Sequence, residues 1–132
     1  MIEVAAAMIR AEGKVLVCRR PLGKAQGGKW EFPGGKLEAG ETGEAALARE
    51  CREELGVALE VGAALADVTQ DYPEKSIHLT LYEAWIAEGE PQKLEHSEMR
   101  WVQPEQFGEF EWCPADARLI RQLQGRAPLN EL

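Results

Sequence analysis

The chain has 132 residues, 45% hydrophobic and 29% charged, the balance expected of a single globular domain spanning 1–132. With 23 acidic against 15 basic side chains the net charge is −8, which argues against the basic face that polymeric nucleic acid requires. The longest apolar run, Val4 to Ile9, falls far short of the roughly 20 residues that span a bilayer. The start, Met1-Ile2-Glu3-Val4, lacks the basic and apolar pattern of a secretory signal. A cytoplasmic location, no membrane partner and a monomer or homodimer are therefore expected.

In chain order, Ile2 to Arg10 and Val15 to Cys18 are apolar runs joined by Ala11-Glu12-Gly13-Lys14, which predicts an antiparallel hairpin. Pro21 to Lys29, with one proline and three glycines, predicts a mobile loop. Trp30-Glu31-Phe32 is extended, because Pro33 disfavours helical torsions at the residue before it. Thr42 opens a helix that runs to about Leu55, with Gly56 in the left-handed terminating position. Ala48, Cys51 and Leu55 are the expected core stripe of that helix. Val57 to Tyr72 and Ser76 to Ala87 predict a second hairpin. Glu98 to Val102 predicts a short strand, Pro114 to Leu123 a second helix, and Gly125 to Leu132 a frayed tail. Strands with one central and one late helix predict an α/β (α+β) fold with a mixed sheet. Cys18, Cys51 and Cys113, odd in number and without CxxC spacing, read as buried thiols.

Gly35 to Val57 carries the chemistry. On its helix Glu50 and Glu54 lie one turn apart, with Glu53 on the neighbouring ridge. Carboxylates this close repel unless something positive sits among them, and oxygen ligands suit Mg²⁺ or Mn²⁺. Arg49, four residues before Glu53, is placed to pair with a carboxylate. A solvated face laced with Glu/Arg pairs would read the same way on spacing alone. The order of Pro33-Gly34-Gly35, the loop residue Glu41 and the helix carboxylates is more specific than a charge run.

Gly35, Glu41, Arg49-Glu50-Cys51, Glu53-Glu54 and Gly56-Val57 fill every fixed position of the 23-residue Nudix box. The chain thus resembles Nudix hydrolases, and Trp30-Glu31-Phe32-Pro33-Gly34-Gly35-Lys36 is similar to the entry of the box in MutT-type members. The resemblance implies a mixed sheet sandwiched between helices and hydrolysis of a diphosphate linked to another group. It implies divalent metal held by Glu50, Glu53, Glu54 and the Gly34 carbonyl, with Arg49 steering a carboxylate and Glu41 bracing the loop. Glu98 stands where MutT-type enzymes use a late glutamate. Glu50, Glu53, Arg49 and Glu98 are thus the expected catalytic group, with Glu50 or Glu53 orienting or deprotonating water.

The same resemblance makes Arg20, Glu31, Phe32, Lys36, Tyr72 and Asp116 the expected contacts to a nucleoside triphosphate, and alternation in Ile77 to Leu81 points His78 into the cleft, unless it is a structural histidine. Ala25 departs from the best-known member, which has a nucleotide-contacting histidine there. Trp30, Phe32, Tyr72 and Trp85 are candidates to stack on the base, or else core. Asp116 either caps the last helix or reads the base. An ionised carboxylate only accepts hydrogen bonds, so it would repel the O6 and N7 acceptors of guanine. It would welcome N7–H of 8-oxoguanine or the amine of cytosine. The expected activity is Mg²⁺-dependent cleavage to a monophosphate and pyrophosphate, with 8-oxo-dGTP first and cytidine triphosphates second. A non-catalytic nucleotide-binding module and an acidic interaction domain are the alternatives from other classes.

Overall fold

A computed structural model describes residues 1–132. Its elements are β1 (Ile2–Ala11), β2 (Lys14–Arg19), β3 (Trp30–Glu31), β4 (Gly34–Lys36), α1 (Gly43–Leu55), β5 (Ala58–Tyr72), β6 (Lys75–Glu88), β7 (Glu98–Val102) and α2 (Pro114–Gln124). The sheet runs β3-β2-β1-β6-β5, with β4 also on β1 and β7 also on β2. Only β1 and β6 pair in parallel, from Ile2 opposite Ile77 to Ile9 opposite Ala84. The first hairpin holds through Arg10–Val15 and Ala11–Lys14. Upstream of it β1 takes β4 as its neighbour, Ala6 opposite Gly34. The two-residue turn Pro73-Glu74 makes the second hairpin, whose register shifts near Ala58, Ala64 and Ala66.

Alternation along β1 divides the core in two. Ala6 and Met8 face α2, joining Val15, Val17, Phe32, Leu81, Phe107 and Leu119. Ala5, Ala7 and Ile9 face α1, joining Leu16, Cys18, Leu47, Cys51 and Leu55. The sheet thus lies between helices, as expected, and each fully buried leucine of these layers contributes about 1.5–3 kcal/mol. The α1 stripe uses Leu47 rather than Ala48, because Leu47 is fully buried and aligns with Cys51 and Leu55 at four-residue spacing.

Three stretches differ from expectation. Gln103 and Gln106 form a reciprocal cap on a 3-10 turn over Pro104–Glu109, which plants Phe107 in the core. The expected frayed tail is docked: Leu129 and Leu132 pack on the α2-side core, and Arg10 donates to the Leu132 carbonyl at 2.7 Å. The loop after β2 is closed by its own hydrogen bonds, among them Gly28 N–H to Arg20 O and Arg20 N–H to Lys29 O, both 2.9 Å. No helix is long and apolar enough to cross a membrane. All three cysteines are free and buried, as their number and spacing anticipate.

Candidate active site

The carboxylate helix is fixed at both ends. Thr42 accepts the Ala45 N–H at 3.1 Å, and Gly56, at φ +70°, donates to the Arg52 carbonyl, closing the helix in the left-handed turn glycine permits. Arg49 then locks the preceding loop. Its Nε and Nη2 both donate to Glu41 at 2.9 Å, its Nη1 to Glu50 at 2.9 Å and its Nη2 to the Lys36 carbonyl at 3.0 Å. Glu53, at 3.7 Å, is only a loose partner, so Arg49 steers Glu50 more than Glu53. Glu41 also accepts the Glu38 N–H at 2.7 Å, the bracing role the resemblance implies. Arg49 and that amide hold the Glu41 carboxyl down at about 2.

Glu54 is the buried member of the set, 8% exposed. It accepts the Gly34 N–H at 3.1 Å, yet burial, then Glu31, Glu50 and Glu95, push its carboxyl up to about 8. That is a carboxylate in an oxygen-rich site short of positive charge, since Arg49 is committed to Glu41 and Glu50. Hard divalent cations suit such carboxylate oxygens, of which α1 presents Glu50 and Glu54 one turn apart beside the Gly34–Gly35 strand. Close packing makes room: a Cβ at Gly35 would stand 2.4 Å from the Glu50 carboxyl carbon.

A second group forms where β2, β3 and the start of α2 meet. Arg20 donates to both oxygens of Glu31, at 3.1 and 3.4 Å, and to the Ala25 carbonyl at 2.7 Å. Glu31, Cys113 and Asp116 place one polar atom each within 4.8 Å of one another. Asp116 accepts the Phe32 N–H at 3.0 Å; the N-cap of α2 is Cys113, without a side-chain bond, and Asp116 stands in the first turn, where its carboxyl also takes its own N–H. Burial and then Glu31 raise the Asp116 pKa well above its ordinary value. Burial and then Asp116 push the Cys113 thiol up to about 12. Burial and then the charges of Cys113 and Asp116 raise the Tyr72 hydroxyl above its ordinary value. Burial and Glu31 both work against the charged form of Asp116, the form on which the expected repulsion of plain guanine rests.

Of the expected residues, Arg20, Glu31, Phe32, Tyr72 and Asp116 come together here, with Phe32 only 2% exposed. Lys36 stays in the box loop through its carbonyl. Two residues are not brought in. Glu98 lies opposite Arg19 in the β2–β7 register, on the α2 side with Val15 and Val17. There it is bound by Arg100 and Arg19, not by the α1 carboxylates. The late-loop acid whose charge reaches Glu54 is Glu95. His78, in register with Glu3, lies on the α1 side between Glu3 and Asp67, 2.7 Å from each. Trp30 is core, and Trp85 packs on Gly62, so neither stands in the pocket. Cys113, Glu95 and His96 carry no periodicity or motif of their own; only the Glu95-His96 placement before β7 offers a signal.

A carboxylate helix braced by arginine, a glycine strand against it and a buried acidic cluster nearby make the site of a hydrolase acting on phosphate anhydrides. The NUDIX domain profile matches residues 1–123, and the chain belongs to that family. It is 40% identical over 120 residues to a CTP pyrophosphohydrolase of Escherichia coli, covering 91% of this chain and 89% of the relative. It is 40% identical over 127 residues to an 8-oxo-dGTP diphosphatase of Haemophilus influenzae, covering 93% and 91%. Among solved structures, the Escherichia coli ORF135 protein superposes with TM-score 0.83 at 38% identity, covering 96% and 91%. A MutT protein from Methanosarcina mazei superposes with TM-score 0.82 at 29% identity, covering 95% and 94%. The chain is a hydrolase acting on phosphorus-containing anhydrides.

Proposed function

We propose that the chain is a Mg²⁺-dependent nucleoside triphosphate pyrophosphohydrolase, releasing monophosphate and pyrophosphate, with 8-oxo-dGTP as its first substrate. The observation that carries this reading is the cluster of Glu31, Cys113 and Asp116, one polar atom of each within 4.8 Å of the others, with the Glu31 charge acting on both Asp116 and Glu54. It offers hydrogen-bond acceptors to a base while Glu50, Glu53 and Glu54 face the polyphosphate. Oxidation at C8 turns N7 of guanine from acceptor to N–H donor, the group such a pocket takes.

Glu50, Glu53, Glu54 and the Gly34 carbonyl would hold the metal. When bound, it neutralises polyphosphate charge and stabilises the charge that develops on the transferring phosphoryl group. Glu53, with its side chain 56% exposed and loosely paired, is free to take a proton from the attacking water. Glu50 is held by Arg49 at 2.9 Å, which orients it. Glu95, whose charge acts on Glu54, would take the part that the resemblance gives to Glu98. Arg20, held on Glu31, flanks the base pocket.

A cytidine triphosphate is the second reading. Two carboxyl groups converging in one pocket can take both hydrogens of an exocyclic amine, and a 40% identical relative is named CTP pyrophosphohydrolase. Pyrophosphate release from 8-oxo-dGTP, dGTP, CTP and dCTP with Mg²⁺ decides between them. 8-oxo-dGTP is expected to lead by kcat/KM, and cleavage of none of the four overturns the proposal. Glu53→Gln is expected to lower kcat/KM by more than tenfold, about 1.4 kcal/mol; a smaller loss removes Glu53 from its assigned role.

A further inference from the structure

The end of α1 leaves carbonyls that the helix cannot satisfy. The Glu54 carbonyl accepts Leu94 N–H at 3.3 Å, and the Leu55 carbonyl accepts Gln92 N–H at 2.9 Å. Five residues beyond Gln92, Ser97 N–H donates to the Arg19 carbonyl at 2.9 Å. Residues 92–97 therefore form a strap from the carboxylate helix to β2, and their one buried side chain is His96.

The His96 side chain is 3% exposed, and its Nε2 lies 3.0 Å from Glu31 Oε2. Arg20 Nη1 binds the other oxygen, Oε1, at 3.1 Å. A carboxylate only accepts, so Nε2 carries the hydrogen. Nδ1 is buried without a partner; a second hydrogen there would have no acceptor, which assigns the neutral Nε2–H tautomer. An apolar side chain of similar size would fill this volume with no orphan nitrogen. The ring is kept for its donor.

We infer that His96 is a positioning residue for base recognition, fixing Glu31 so that its carboxylate faces the pocket shared with Asp116 and Cys113. The inference rests on the nucleotide reading above. Without His96, Glu31 is held only from the Arg20 side, and Arg20 is a flexible cation at 30% side-chain exposure. Rotation of that ion pair toward solvent takes an acceptor out of the pocket. Base contacts weaken while the α1 carboxylates are left in place.

The chain has only two histidines, so ring-nitrogen ¹H–¹⁵N correlation reads His96 directly in the resting protein. The Nε2–H pattern is expected, and the Nδ1–H pattern overturns the inference. With whichever nucleotide of the panel the parent cleaves, His96→Leu is expected to raise KM about tenfold, the scale of a lost hydrogen bond to a charged group. It should leave kcat within about threefold, compress the ranking of bases and hold the melting temperature. His96→Gln, which retains an N–H donor, should recover most of the KM. Unaltered KM and ranking in His96→Leu overturns the inference alone; a parent that cleaves nothing removes the proposed function with it. Should His96→Leu not fold, Glu31→Gln and Glu31→Gln/His96→Met, which lacks the donor, carry the test. Equal KM in those two supports the inference, and a further loss in the double variant overturns it.

Discussion

The amide of Phe32 donates to the Asp116 carboxyl at 3.0 Å, joining residues 84 positions apart. This bond ties the strand entering the box to the first turn of α2, so the pocket and the carboxylate helix hold one geometry. Asp116→Asn keeps an acceptor for Phe32 and removes an acid whose charged form is disfavoured by burial and Glu31. It is expected to reorder the nucleotides by about tenfold or more, the value of one discriminating base contact. It should melt no lower than the parent at neutral pH. Asp116→Leu strands the Phe32 N–H and should cost about 1–3 kcal/mol. A uniform fall across all nucleotides in Asp116→Asn, read by kcat/KM, would reduce Asp116 to a structural tie.

Two adjacent glycines separate stability from activity. A Cβ at Gly34, where φ is +154°, would stand 2.0 Å from the Ala5 carbonyl oxygen, a backbone atom that cannot move without breaking the β1–β4 pairing. Gly34→Ala is therefore expected to destabilise the fold by several kcal/mol, about 2 or more by comparison with other overpacked and strained sites. A Cβ at Gly35 instead meets the end of the Glu50 side chain, at 2.4–2.7 Å, which can swing away. Gly35→Ala should melt close to the parent yet lose most of its turnover, because Glu50 is displaced from the Arg49 bond that orients it. Melting curves and kcat on the two variants check this. Equal loss of stability in both would mean that Glu50 is pinned as firmly as backbone.

The carboxylate helix was legible because its signals are local. Thr42, Glu50 and Gly56 lie within one turn of Ala45, Arg49 and Arg52, and Arg49 and Glu54 reach no further than Glu41, Lys36 and Gly34, at most 20 positions away. Glu98 misled because its side depends on the register of β7 against β2, a pairing some 80 positions apart in sequence, and a one-residue shift reverses every side chain. The cluster around Glu31 and Asp116 was half legible. Glu31 and Phe32 border the box, but His96 and Cys113 reach it only through the strap and the start of α2. The docked tail was missed because Leu129 and Leu132 are two isolated apolar residues in a polar stretch, and what fixes them is the α2-side core.

Of the two roles open to His78, a contact to substrate or a structural histidine, the structure gives the second, a clamp across three strands. Its ring nitrogens lie 2.7 Å from Asp67 on β5 and 2.7 Å from Glu3 on β1, and these partners, Asp67 first, raise its pKa above 6.5. An unfolded histidine releases its proton near that value, whereas the folded one holds it to higher pH. The clamp therefore stabilises fully below the unfolded pKa and is lost as pH rises through the folded one. Both carboxylates are at least half exposed, so solvent limits the gain to about 1 kcal/mol or less. His78→Gln should lower the melting temperature more at about pH 5.5 than at about pH 9, and should change kcat/KM by less than about twofold. A pH-independent difference would dissolve the clamp, and a large rise in KM would return His78 to the nucleotide.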